Sequence, residues 1–353
     1  MAKMEFSLFF FSDDGSSRLE DKYALLHDSV KYADERGFAA VWTPERHFHE
    51  FGGLYPNPSV TSAALSVLTK RIHIRAGSVV LPLQNPLRVA EEWAVIDNLS
   101  KGRVAIAFAS GWHADDFVIR PENYQERKDL MFRDIKTVRS LWRGEKIELP
   151  NGVGKLIEVG AYPRPIQPEL PIWITSQSSE TFVKAGEIGA NVLTNFNYKR
   201  PQDLIDMIDL YRTSLKLSGH DPAEGKVTLM MHTFLAESME KVEQKVRPAY
   251  GRYLAANLTL QSNQASSFKA NLELSQEDKD VVISNAYDRL VSTHGLVGTV
   301  KSCYEKVKLL KTIGVNEIAC LIDFGIDYDS AMQSLVYLSR LKNLASVSDS
   351  ITV

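Results

Sequence analysis

The chain has 353 residues, 44% of them apolar and 24% charged, a composition ordinary for a globular enzyme. Its formal net charge of −3 provides no basic field, which argues against nucleic acid or an anionic membrane as the main partner. Two cysteines, Cys303 and Cys320, are too few for a disulfide framework and lack metal-ligand spacing, so they read as buried thiols in a reducing, cytoplasmic setting.

Strand-like and helix-like runs alternate almost from end to end. EFSLFFF (5–11) is too short and too weakly flanked for a signal peptide or a membrane span, and it fits a first core strand. A helix over about 19–36 follows and stops at Gly37. FAAVWT (38–43) is a second strand and SVTSAALSVLT (59–69) a second helix. IHIRAGSVVL (72–81) is a third strand, 87–99 a third helix, RVAIAFAS (103–110) a fourth strand and 124–142 a fourth helix. A polar excursion, KIELPNGVGKLIEVGAYPRP, reads as a hairpin insertion. The alternation resumes with LPIWITS (170–176), a helix over 179–187, and ANVLTNF (190–196). Leu204, Ile205, Ile208, Tyr211 and Leu215 then repeat with helical spacing from Pro201 to Gly219. KVTLMMHTFLA (226–236) is strand seven, NEIACLIDFG (316–325) strand eight, and a last helix carries Met332, Leu335, Val336 and Leu338.

Eight β–α alternations with continuous apolar strands imply a parallel sheet buried on both faces. Eight closes a (β/α)8 TIM barrel. A doubly wound open sheet is the alternative, weakened because no GxGxxG follows the first strand. The expectation is one domain over 1–345, an insertion at about 245–297 made of extra helices and a mobile loop, and a flexible tail at 346–353.

In such barrels chemistry sits at the C-terminal ends of the strands. There the chain places TPERHFHEFGGLYPNP after strand two, ASGWHADDF after strand four and TSQSSET after strand five. The hydroxyl-rich TSQSSET opens a helix, so it is either an anion site for a phosphate or an ordinary N-cap. The HFH pair, His47 and His49, invites comparison with metal-dependent hydrolases. Strands five and six end in TSQ and TNF, which supply no further ligand, so no metal is expected. A histidine hydrogen-bonded to substrate or cofactor oxygen is the preferred reading, with a loop-capping role equally open for His49. No GxSxG elbow or activated cysteine supports nucleophilic catalysis.

These strings resemble a known family. ERHFHEFGG, SVVLPLQNPLRVAEEWAVIDNLSKGRVAIAFASGW, TSQSSETFVKAGEIGA and GTVKSCYEKVKLLKTIGVNEIACLIDF look like the bacterial luciferase-like flavin-dependent monooxygenases, across nearly the whole chain outside the insertion. TPERHFHEFGGLYPNPSV is similar to a narrower branch found in natural-product biosynthesis, beside or inside polyketide and nonribosomal-peptide synthases. The resemblance implies an FMN site: Gln177, Ser178 and Thr181 on the phosphate, a non-prolyl cis peptide at Gly77–Ser78 under the ring, and Ala109, Ser110 and Trp112 lining the isoalloxazine. It implies reduced FMN supplied by a separate flavin reductase, O2, and hydroxylation or Baeyer–Villiger insertion into a small-molecule or carrier-protein-tethered substrate, in a homodimer packed through the early helices. One position departs: Arg46 stands where the luciferases have a catalytic histidine. A guanidinium cannot act as a base at neutral pH, so Arg46 is expected to hold an oxygen anion or a substrate carbonyl, with His47 the titratable group beside it. His49, Tyr250, Arg252 and Tyr253 are the expected substrate contacts, the last three forming one wall of a channel. Lys245, Arg247, Arg252 and Lys269 are candidates to meet an acidic carrier. A deazaflavin-dependent hydride transferase and a non-catalytic flavin-binding protein are the alternatives on the same barrel.

Overall fold

The structure, a computed structural model, describes residues 3–11, 21–196, 200–265 and 276–348, with backbone alone at 257–265, 276–280 and 348. In chain order the strands are β1 (Glu5–Phe9), β2 (Ala40–Thr43), β3 (His73–Val80), β4 (Val104–Ala109), β5 (Ile147–Pro150), β6 (Leu156–Val159), β7 (Ile172–Thr175), β8 (Asn191–Asn195), β9 (Val227–Leu235), β10 (Leu296–Gly298) and β11 (Glu317–Leu321). The helices are α1 (Ala24–Glu35), α2 (Pro58–Leu68), α3 (Pro86–Ser100), α4 (Arg127–Arg143), α5 (Ser179–Glu187), α6 (Pro201–Leu217), α7 (Met239–Ala265), α8 (Gln276–Arg289), α9 (Val300–Thr312) and α10 (Tyr328–Ser348). Parallel pairing runs β11-β1-β2-β3-β4-β7-β8-β9 and returns from β9 to β11, closing an eight-stranded (β/α)8 barrel. β5 and β6 form the separate antiparallel hairpin.

The barrel closes because every strand carries two apolar faces. Phe6, Leu8, Ile74, Val104, Ile106 and Phe108 pack outward under the helices, while Phe9, Trp42, Ala105, Ala107, Trp173, Leu193 and Leu321 fill the interior. This is the period-two alternation of a strand buried on both sides. Two Asn-Pro dipeptides set helix starts: Asn57 accepts from the Ser59 N–H at 2.8 Å and Asn85 from the Leu87 N–H at 2.9 Å, each with proline in the first turn. The LSKGR string seals the opposite end of the barrel from the site. Arg103 donates to the Ser66, Thr69 and Ile72 carbonyls, and Asp97 accepts from the Ile166 and Gln167 N–H groups.

Three boundaries differ from expectation. α7 begins at Met239 and runs unbroken through 245, so the chain enters the 245–297 segment as the helix following β9 and has no separate insertion start. That segment also ends in β10, a ninth parallel strand beside β9 that lies outside the closed ring. The tail at 346–353 begins helical, because α10 continues to Ser348 with Ala345 still buried against the core. Residues 349–353, and the 266–275 part of the expected mobile loop, lie outside the described residues.

Candidate active site

At the C-terminal mouth the loop after β2 turns inward. Glu45 is buried and collects three donors: the Val80 N–H at 2.6 Å, the Gln84 side-chain amide, and His47 Nε2 at 3.0 Å. A carboxylate accepting from Nε2 fixes the imidazole tautomer and leaves Nδ1 as the ring's proton-exchanging position. Arg46, 2% exposed, is held by Asp116 through Nη1 at 3.3 Å and sits 5.1 Å over the Trp112 ring. Gly52 permits that burial, since a Cβ there would lie 2.7 Å from Arg46 Cγ.

Asp116 and His113 come from the turn after β4. Gly111 makes the turn with φ +82°, and a Cβ would strike Phe117 and Val80 within 3 Å, so only glycine fits. His113 lies 3.7 Å from Asp116. Burial, reinforced by the Arg46 charge, holds the His113 imidazole below its usual range, so the ring is neutral at pH 7. Burial pushes the Asp116 carboxyl up against the opposing pull of Arg46, His113 and His47. Burial also lowers the Arg46 guanidinium, with Asp116 working the other way.

On the neighbouring strands the Gly77–Ser78 peptide is cis. Gly77 is required on contact grounds, because a Cβ would meet the Phe9 ring at 2.8 Å and Trp42 at 3.1 Å. Ser78 Oγ lies 2.5 Å from Thr175 Oγ1. Ala109 and Ser110 sit half-buried at the end of β4, and Trp112 is 47% exposed. At the end of β7, Gln177 donates to Asn195 at 3.0 Å, and Ser178 caps α5 by accepting from the Thr181 N–H at 3.3 Å. Ser178 and Thr181 hydroxyls lie 3.0 Å apart at that helix start. The helix start expected to meet an anion is thus a side-chain-capped N-terminus, and capping leaves the dipole and the exposed face of Ser178 available.

The fourth side of the mouth is α7. Tyr250 and Tyr253 are buried and stack nearly parallel, 12° apart in plane, with both rings edge-on to His232 of β9 and to Phe324. Tyr253 also packs on Phe51 from the loop after β2. Arg252 reaches the Gly325 carbonyl at 3.3 Å. Burial lowers the His232 imidazole to about 3, and its Nε2 has no hydrogen-bond partner among the described residues. His49 faces its own loop, with Nδ1 accepting from the Phe51 N–H at 2.9 Å. The loop-capping role expected as one alternative for His49 is thus present through Nδ1. Sequence reading missed Glu45, Asp116 and His232 as site groups. Glu45 had the one available signal, an acidic residue beside Arg46, which spacing cannot distinguish from solvated charge; Asp116 and His232 stand beside no named candidate.

Comparison with known proteins fits this geometry. The chain is 23% identical over 346 residues to the oxygenase component of flavin-dependent trigonelline monooxygenase from Acinetobacter baylyi, covering 94% of this chain and 92% of that one. It is 26% identical to an alkanal monooxygenase alpha chain of Photorhabdus luminescens, over 86% of each. Among solved structures, a monooxygenase from Streptomyces bottropensis superposes with a TM-score of 0.80 at 23% identity, covering 96% and 98% of the two chains. The oxygenating constituent of 3,6-diketocamphane monooxygenase from Pseudomonas putida, in complex with FMN, gives 0.75 at 18% identity over 97% and 98%. An F420-dependent secondary alcohol dehydrogenase shares the fold at 0.69, with 18% identity over 97% and 98%. The luciferase-like monooxygenase family profile matches residues 4–317, and the chain belongs to that family of enzymes.

Proposed function

We propose that this protein is the oxygenase component of a two-component system, using FMN reduced by a separate reductase and O2 to oxidise an organic substrate. The observation that carries the reading is the convergence at one barrel mouth of a hydroxyl-capped helix start and a buried, incompletely paired polar cluster around Arg46. The residues fit the cofactor: Gln177, Ser178 and Thr181 would take the phosphate, and Ser78, Ala109, Ser110 and Trp112 would flank the ring. Bound and reduced, the flavin supplies activation of oxygen. The protein's own groups do the rest. Arg46 holds a substrate oxygen. His47, fixed by Glu45, exchanges the proton at Nδ1. Tyr250, Tyr253 and Phe324 exclude water from the α7 side.

The partner readings have uneven support. Val60, Val67, Val95 and Leu99 are exposed on α2 and α3, which suits a homodimer packed through the early helices. Docking of an acidic carrier is less well served, because Lys245 pairs with Asp327 at 3.1 Å and Arg247 with Glu243 at 3.1 Å. Lys269 lies outside the described residues. The natural-product setting rests on the TPERHFHEFGGLYPNPSV string alone. No helix among the described residues is long and apolar enough to cross a membrane.

The test is oxygen uptake with enzymatically reduced FMN, beside a matched anaerobic assay with reduced F420. Saturable FMN-dependent oxygen consumption and incorporation of one oxygen atom into a substrate are expected. Hydride transfer from F420 without oxygen would overturn the reading in favour of the dehydrogenase-like alternative.

A further inference from the structure

Three adjacent side chains at the mouth carry five buried polar atoms with no hydrogen-bond partner among the described residues: Arg46 Nε and Nη2, His113 Nε2, and the pair His113 Nδ1 and Asp116 Oδ1, which face each other 3.7 Å apart. The residues are 2%, 4% and 5% exposed. An unsatisfied buried donor or acceptor costs about 1–3 kcal/mol, more when charged, so a concentration of them marks a place where a polar group docks.

The geometry of Arg46 says which group. Nη1 is committed to Asp116, and the guanidinium lies over the Trp112 ring, so one corner and the plane are both fixed. The atoms left over, Nε and Nη2, form the edge from which a guanidinium presents two parallel N–H donors. That edge is complementary to two oxygens on one carbon. A carboxylate meets the two donors with one oxygen each, whereas a carbonyl or alcohol must share a single oxygen between them.

We propose that Arg46 binds the carboxyl group of the substrate through its Nε/Nη2 edge, with Asp116 as the positioning residue, so that the substrate is an organic acid. This rests on the oxygenase reading of the same site and adds its substrate class. A second carboxylate would meet the negative charge of Asp116. Burial has already raised the proton affinity of Asp116, so a proton taken up by Asp116 on binding would relieve the repulsion. The charged and titratable groups facing Asp116 are Arg46, His113, His47 and Asp115. Binding is therefore expected to take up a proton.

The experiment is calorimetric titration of the full chain, with and without FMN, using monocarboxylates from acetate to decanoate, benzoate, and the methyl ester of each. At least one acid should bind saturably, about tenfold or more tighter than its ester, with proton uptake shown by comparing buffers of different ionisation enthalpy. Arg46→Lys keeps the charge and loses the edge, so it should weaken the acid by about tenfold with FMN affinity retained. Asp116→Asn should bind the acid at least as tightly and without proton uptake; it decides alone if the arginine variant does not fold. Equal binding of acid and ester, an acid affinity unchanged in Arg46→Lys, or equal competition by chloride and inorganic phosphate would each overturn the proposal. Loss of FMN binding in the parent sinks the oxygenase reading and leaves the acid assignment to stand on its own titration.

Discussion

Ser178 illustrates how a residue's two roles can be separated. It caps α5, and removal of a cap costs about 1 kcal/mol of stability whatever the ligand. If it and Thr181 also hold the cofactor phosphate, replacing both by Ala should weaken FMN by about tenfold or more, since charge-assisted bonds contribute about 1.5–3 kcal/mol each. Riboflavin, which lacks the phosphate, should bind parent and variant alike. Equal losses for both flavins, tracking a fall in melting temperature, would reduce the pair to a cap. The cap was legible because Ser178 and Thr181 act on their own helix, three residues apart. Arg46–Asp116 was not, because its partners stand 70 residues apart and meet only when β2 and β4 enter one barrel. The two readings of His49 stayed open for the opposite reason. Its partner is two residues away, and a local loop bond looks the same in sequence as a side chain free for substrate.

Among the elements, the barrel strands could be read because each is a short apolar run between turn residues. Their observed limits move by a residue or two, and by four at the end of the last strand, where 322–325 leave the sheet. α7 was harder. Polar residues near 261–278 suggested an insertion with its own boundary, yet the helix simply continues the β9–α7 unit and delivers Tyr250 and Tyr253 to the mouth. Those rings give a test of the wall. Tyr253→Leu preserves most of the apolar volume and should cost less than about 1.5 kcal/mol of stability. It also removes one edge-on partner of His232 and the contact with Phe51. Flavin affinity should survive, substrate turnover should fall, and hydrogen peroxide release per reduced FMN should rise. Unchanged coupling and turnover would make α7 a structural cover and remove the channel-wall assignment for Tyr250, Arg252 and Tyr253.

At the scale of the whole molecule, the barrel is held by a charge that the chemistry does not use. Glu317 of β11 is fully buried, and it accepts from Arg75 Nη1 of β3 at 2.8 Å, Ser7 Oγ of β1 at 2.5 Å and Trp42 Nε1 of β2 at 3.1 Å. The Arg75 guanidinium packs against both the Trp42 and Trp173 rings, 4.9 and 4.5 Å from their centroids. Five strands therefore meet at one ion pair. Burial alone would raise the Glu317 carboxyl, but the Arg75 charge and the three hydrogen bonds outweigh it and hold it below the usual 4.5. A depressed folded-state value means the stabilisation is complete above 4.5 and is lost as pH falls through the lower folded value. Arg75→Met removes the compensation and leaves burial unopposed, which reverses the sign: the carboxyl then titrates above 4.5 and the variant suffers most at neutral pH. The expected cost at pH 7 is about 3–5 kcal/mol, a large share of the roughly 5–15 kcal/mol typical of a domain. The difference from the parent should shrink as pH falls toward 4. Adding Glu317→Gln to Arg75→Met should restore much of the loss at neutral pH, because no buried charge is then left unpaired. Denaturant midpoints for the parent, the single and the double variant, measured at pH 7 and near pH 4, decide the matter. A loss that is the same at both pH values, or one the second substitution does not relieve, would show that Arg75 matters by filling space against the two indoles and not by neutralising Glu317.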